Sequence, residues 1–153
     1  MAKTQDELKE MVALKALDFI PENGILGVGS GSTVVKFIKA IQAQGIKVQA
    51  AVSSSNATTA LLEEIGVKVL DPNSCEPYDV YIDGADEIND DFEMIKGGGA
   101  CLTREKILAS MARTFVCIVD KSKLVNTLGK FPLPVEVIPM AREQVARTLR
   151  TLG

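Results

Sequence analysis

The chain has 153 residues, about one domain, and a chain of that length buries roughly 68–70% of the surface it exposes when unfolded. Its 46% hydrophobic and 24% charged content is that of a globular protein and excludes a disordered or collagen-like one. Lys and Arg number 17 against 20 Asp and Glu, a net charge of −3 that argues against nucleic acid as a partner, and the absence of His excludes every His-based triad, Cys–His pair and His metal ligand.

The opening stretch lacks the apolar core of a signal peptide, and no apolar run approaches the roughly 18 residues of a membrane span, so no membrane partner is expected. Thr4-Gln5-Asp6-Glu7 reads as a capping box, with a helical apolar face following from Leu8 to Ile20. Pro21 to Gly24 is a turn, and Ile25 to Val28 is a short buried strand. It runs into Gly29-Ser30-Gly31-Ser32-Thr33 and then a helix marked by Val34, Val35, Phe37, Ile38 and Ile41, ending near Gly45. The unit repeats: strand 48–52, polar corner 53–56, helix 57–65 stopped by Gly66, strand 67–70, loop 71–78. Strand 80–82 ends at Asp83, a Gly-rich stretch leads to a helix over 103–112, and strand 114–119 ends at Asp120. Pro132 and Pro134 interrupt the tail, 135–138 reads as an edge strand, and Pro139 opens a last helix toward Gly153. Strands alternating with helices predict a mostly parallel α/β sheet. Cys75, Cys101 and Cys117 form no CxxC pair, which suits free thiols in a reducing cytoplasm.

In such sheets the ligand sits beyond the carboxyl ends of the strands, where the polar clusters fall. Gly29 to Thr33 joins strand to helix, so its amides and the helix N-terminus suit an anion, or else form an ordinary tight turn. The loop matches neither the dinucleotide fingerprint nor the P-loop. Asp83-Gly84-Ala85-Asp86-Glu87 holds three carboxylates in five residues without calcium-loop spacing; alone it also reads as a solvated acidic turn. Lys96-Gly97-Gly98-Gly99 is an anion nest beside a cation, or a flexible hinge. Glu105 is a candidate base, or a carboxylate favoured by a helix N-terminus. Lys121 and Lys123 add cations after Asp120.

Together, GVGSGST (27–33), AVSSSNAT (51–58), YIDGADEIN (81–89), MIKGGGACLTREK (94–106), DKSK (120–123) and GKFPLPVEVIP (129–139) resemble ribose-5-phosphate isomerase, type A. The resemblance spans essentially the whole chain. It implies a Rossmann-like, mostly parallel sheet flanked by helices over 1–130, with 131–153 the start of a smaller C-terminal subdomain that is largely absent. It implies an aldose–ketose isomerase acting on a small sugar phosphate through an enediolate, with no metal or organic cofactor, in a family that forms homodimers. Ser30, Gly31, Ser32 and Thr33 would hold substrate at its phosphate, and Asp83, Gly84, Ala85, Asp86, Lys96, Gly97, Gly98 and Gly99 would line the sugar. Glu105 would be the base, assisted by Asp83, Asp86 and Lys96, and Lys123 would touch substrate. For the enediolate oxygen, Lys96 and the Gly97–Gly99 amides are the candidate donors. A sugar-phosphate-binding regulatory module and a coenzyme A transferase-like enzyme on a related fold are the alternatives.

Overall fold

The computed structural model describes residues 3–153. Four parallel strands form the main sheet: β1 (Ile25–Val28), β2 (Ala50–Ser53), β3 (Tyr78–Asp83) and β6 (Ala112–Cys117), in the order β2-β1-β3-β6. A two-stranded antiparallel ribbon, β4 (Glu87–Ile88) with β5 (Met94–Ile95), stands apart from it. The helices are α1 (Gln5–Ala16), α2 (Ser32–Ala43), α3 (Asn56–Glu64), α4 (Leu102–Met111) and α5 (Arg142–Arg150). No helix among the described residues is long and apolar enough to cross a membrane.

The capping box at Thr4 forms as the sequence predicts: Glu7 N–H donates to the Thr4 hydroxyl, and Thr4 N–H to the Glu7 carboxylate. α1 then lies against α2, where Lys36 pairs with Asp6 and Glu10. α2 turns Val34, Phe37, Ile38 and Ile41 onto Leu26, Val28 and Ile82 of the sheet. A second cluster of Val52, Tyr78, Tyr81 and Leu108 packs where α4 covers β3. Each side chain so enclosed contributes roughly 1.5–3 kcal/mol of burial free energy.

Strand order places the ligand edge. From β1 the chain steps outward to β2, then crosses back to β3 on the opposite side of β1. The reversal opens a crevice at the carboxyl ends of β1 and β3, where α/β sheets bind ligands. There Gly29 N–H donates to Ile82 O at 2.8 Å. A side chain at Gly29 would not fit, because its Cβ would stand 1.9 Å from Asp83 Cγ.

Three local expectations are corrected. Stretch 67–70 is no full strand but a single parallel bridge, Ala51 with Val69, because the chain leaves for the Asp71-Pro72 turn. Stretch 135–138 forms no strand: Pro132 and Pro134 have no N–H to give a ladder, and the Glu136 side chain bonds the Thr103 hydroxyl on α4. The last helix begins as a 3-10 turn over Pro139–Ala141 and becomes α-helical only at Arg142. The β4–β5 ribbon is an addition to the elements read from sequence.

Candidate active site

A cavity of about 370 Å³ opens at the carboxyl edge of the sheet. Its wall includes every residue that the resemblance assigned to the site, Ser30 to Thr33, Asp83 to Asp86, Lys96 to Gly99, Glu105 and Lys123, but not Gly29, Glu87 or Lys121 of the polar clusters. Lys9, Ser55, Ala57 and Cys101 join them.

The floor is a charge cluster. Lys96 Nζ lies 3.0 Å from Asp83 Oδ2 and 3.0 Å from Glu105 Oε2, and it donates to Gly84 O at 2.6 Å. Glu105 is buried in the first turn of α4, and its Oε1 accepts the Ser30 hydroxyl at 2.6 Å. Asp83 is buried with both oxygens engaged. Oδ1 accepts Ser30 N–H at 3.1 Å and Gly84 N–H at 2.8 Å, and Oδ2 accepts the Tyr81 hydroxyl at 2.7 Å beside Lys96. Two carboxylates therefore share one ammonium.

Burial pushes the Asp83 carboxyl up, Lys96 pulls it back, and Glu105 adds to the rise, so the balance is upward. Burial works against the Lys96 ammonium, but the charges of Asp83 and Glu105 outweigh it and hold Lys96 above the ordinary lysine range. Burial also keeps the Tyr81 phenol protonated as a donor to Asp83, and lifts the Cys117 thiol to about 11. Cys117 is therefore no nucleophile at neutral pH.

Asp86 differs from Asp83. Its Oδ2 accepts Gly98 N–H at 2.8 Å, and its Oδ1 has no protein donor among the described residues. One of the three candidate amides of the triple-glycine loop is thus already committed to Asp86. Gly97 takes φ +101°, a conformation that favours glycine.

The N-terminus of α2 and two lysines also line the cavity. Gly31 caps α2, and Ser32 and Thr33 form its first turn, so free helix-terminal amides face the opening. Lys9 reaches across from α1, its Nζ 3.0 Å from the Ser32 hydroxyl. Lys123 lines the same cavity, and both lysines act on the charge of Asp120. Of the four sequence-predicted residues in the Ser30–Thr33 loop, Ser30 turns its hydroxyl to Glu105. Lys9 is the residue that sequence reasoning missed, since its only local signal is a helix-surface lysine 23 residues from Ser32. Among the described residues no group of His, Cys, Asp and Glu is arranged to hold a metal ion.

A family model described as ribose 5-phosphate isomerase A (phosphoriboisomerase A) matches residues 50–153. Among solved structures, the chain is similar to ribose 5-phosphate isomerase A from Neisseria gonorrhoeae, with 48% identity and a TM-score of 0.97 over 100% of this chain and 69% of that one. It is similar to ribose 5-phosphate isomerase A from Methanocaldococcus jannaschii, with 36% identity and a TM-score of 0.89 over 98% of this chain and 68% of that one. A D-ribose-5-phosphate isomerase in complex with phospho-erythronic acid matches at 36% identity and a TM-score of 0.92, over 97% of this chain and 67% of that one.

Proposed function

This chain belongs to the ribose 5-phosphate isomerase A family and isomerises ribose 5-phosphate, and on that premise we propose that Glu105 is the base that carries the proton between C2 and C1. The observation that carries the reading is the Glu105–Lys96–Asp83 cluster at the floor of a cavity that also gathers helix amides and two lysines. Interconversion of D-ribose 5-phosphate and D-ribulose 5-phosphate, a step of the non-oxidative pentose phosphate pathway, asks for both at once.

The phosphate is a handle. Helix α2, Ser32, Thr33, Lys9 and Lys123 would hold it, and its binding energy would orient the sugar over the cluster. Glu105 then removes the C2 proton. The electron pair moves toward the C1 carbonyl, and negative charge develops on oxygen in the enediolate. Lys96, already directed inward by Asp83, would stabilise that oxygen. The C2 hydroxyl proton passes to the C1 oxygen, Glu105 returns its own proton to C1, and the ketose forms. Asp83, with four donors on its two oxygens, supports the role of anchor for Lys96. The open Oδ1 of Asp86 supports a role in taking the hydroxyl proton as the furanose ring opens. Phospho-erythronic acid, bound by the relative above, puts a carboxylate on a phosphorylated sugar chain and so mimics the charge of the enediolate; the same mode of binding is proposed here.

The free thiols Cys75, Cys101 and Cys117 support a cytoplasmic setting, and the exposed Leu133, Ile138 and Met140 support an apolar contact of the homodimeric kind. Glu105→Gln tests the assignment. It keeps the size of the side chain and removes the base, so kcat should fall about 10²–10⁴-fold while phosphate inhibition persists. Near-normal kcat would reduce Glu105 to a helix-terminus carboxylate.

A further inference from the structure

Glu87 is a buried carboxylate that the chemistry above does not use. It is 3% exposed, lies four residues past Asp83 and does not line the cavity. Its Oε1 accepts Phe131 N–H at 2.6 Å, and its Oε2 accepts Gly129 N–H at 2.8 Å. A carboxylate is costly to bury unless its oxygens are satisfied, and here both are spent on one distant stretch of irregular backbone. That stretch is largely exposed, so it buries little that would repay the arrangement.

We propose that Glu87 is a positioning residue: it anchors a strap, residues 129–136, that holds the triple-glycine loop in its working geometry. The proposal rests on the reading that Lys96 to Gly99 lines the reacting end of the cavity. The strap packs against that loop. Phe131 sits against Gly98 so closely that a Cβ there would come within 2.8 Å of Phe131 Cζ. Pro134 backs Gly97, where a Cβ would meet Pro134 Cβ at 3.3 Å. At its far end Glu136 bonds Thr103, two residues before Glu105. The strap is thus tied at both ends, and its middle presses on the two glycines. Three glycines in a row lose more conformational freedom on ordering than any other triplet, so a loop of this kind needs outside support. Asp86 supplies it through Gly98 N–H, and Phe131 packs beside that carboxylate against Gly98.

The test uses the full chain and four variants: Glu87→Gln, Phe131→Ala, Phe131→Leu, and the double variant Glu87→Gln/Phe131→Ala. Glu105→Gln runs beside them. In Glu87→Gln and Phe131→Ala, kcat should fall about tenfold or more, as misplacement of reacting groups does. The double variant should lose no more than the worse single one, because both act through one strap. Phe131→Leu should recover most of the loss. The inhibition constant of inorganic phosphate should not move, since that anion binds at α2. By NMR, Gly98 amide exchange should accelerate in Glu87→Gln while Val34 and Val35 amides keep their rates. Wild-type kcat in Phe131→Ala, losses that multiply in the double variant, or an unmoved Gly98 exchange rate would each overturn the proposal. If Glu87→Gln does not fold, the two Phe131 variants decide it, with Gly98 exchange read in Phe131→Ala. Retained turnover in Glu105→Gln would instead sink the base assignment, and Gly98 exchange still judges the strap.

Discussion

Lys96→Met isolates the electrostatics of the site, because methionine keeps most of the side-chain volume and removes the charge. Two carboxylates stand 3.0 Å from the ammonium. At an effective dielectric near 20, each contact is worth about 5.5 kcal/mol before desolvation. Desolvation offsets much of that, and breaking a buried pair typically costs about 3–5 kcal/mol. Asp83 keeps three other donors, the Tyr81 hydroxyl and the amides of Ser30 and Gly84, which puts the loss near the lower bound, about 3 kcal/mol. The loss should depend on pH. Burial already raises the Asp83 carboxyl, and Lys96 is what restrains the rise. Without Lys96 the folded chain holds a proton that the unfolded chain releases near its ordinary value of 3.8. The unfolded state then binds fewer protons, so stability falls as pH rises through that window. Urea denaturation at pH 8 should show the full deficit. At pH 5 the deficit should shrink, by about 1.4 kcal/mol for each pH unit over which the folded variant keeps a proton that the folded wild type has released. Turnover at pH 8 should drop about 10²–10³-fold, as when a preorganised donor is removed. A deficit equal at the two pH values would refute the claim that the Lys96 ammonium restrains the rise of the Asp83 carboxyl.

Lys9→Met should weaken inorganic phosphate inhibition and raise KM by about 10-fold, in keeping with a charged hydrogen bond of roughly 1.5–3 kcal/mol partly screened by solvent, with kcat little changed; a loss confined to kcat would move Lys9 out of the anion site. Gly29→Ala drives a Cβ to 1.9 Å from Asp83 Cγ, so stability should fall by at least about 1–3 kcal/mol and turnover with it, and wild-type values in denaturation and turnover would contradict the packed crevice. Turnover measured with and without EDTA should agree, since proton transfer here is assigned to side chains alone; a loss restored by a divalent ion would overturn that scheme.

What the sequence made legible follows from one property of parallel sheets. Strand β1 is bounded by a turn at Asn23-Gly24 and by Gly29, and its four apolar residues fill the interval. Once strands and helices alternate, the carboxyl ends of the strands must share an edge, and polar clusters at those ends must converge. The cavity wall draws on those clusters for that reason and not by chance of spacing. What stayed hidden lacks periodicity or depends on packing between distant elements. The strands β4 and β5 have two residues each, too few to display alternation. Lys9 is an ordinary solvated lysine until α1 lies on α2, and only that contact brings it to Ser32. Glu87 shows the limit most sharply. In sequence it belongs to the same acidic run as Asp83 and Asp86, and nothing in composition separates the three. Asp83 ends a strand at the crevice, Asp86 faces the glycine loop, and Glu87 begins a new strand that turns its carboxylate to Gly129 and Phe131. Five consecutive residues thus serve a charge cluster, a loop and a strap, and the bend of the backbone between β3 and β4, not the residue types, divides the work among them.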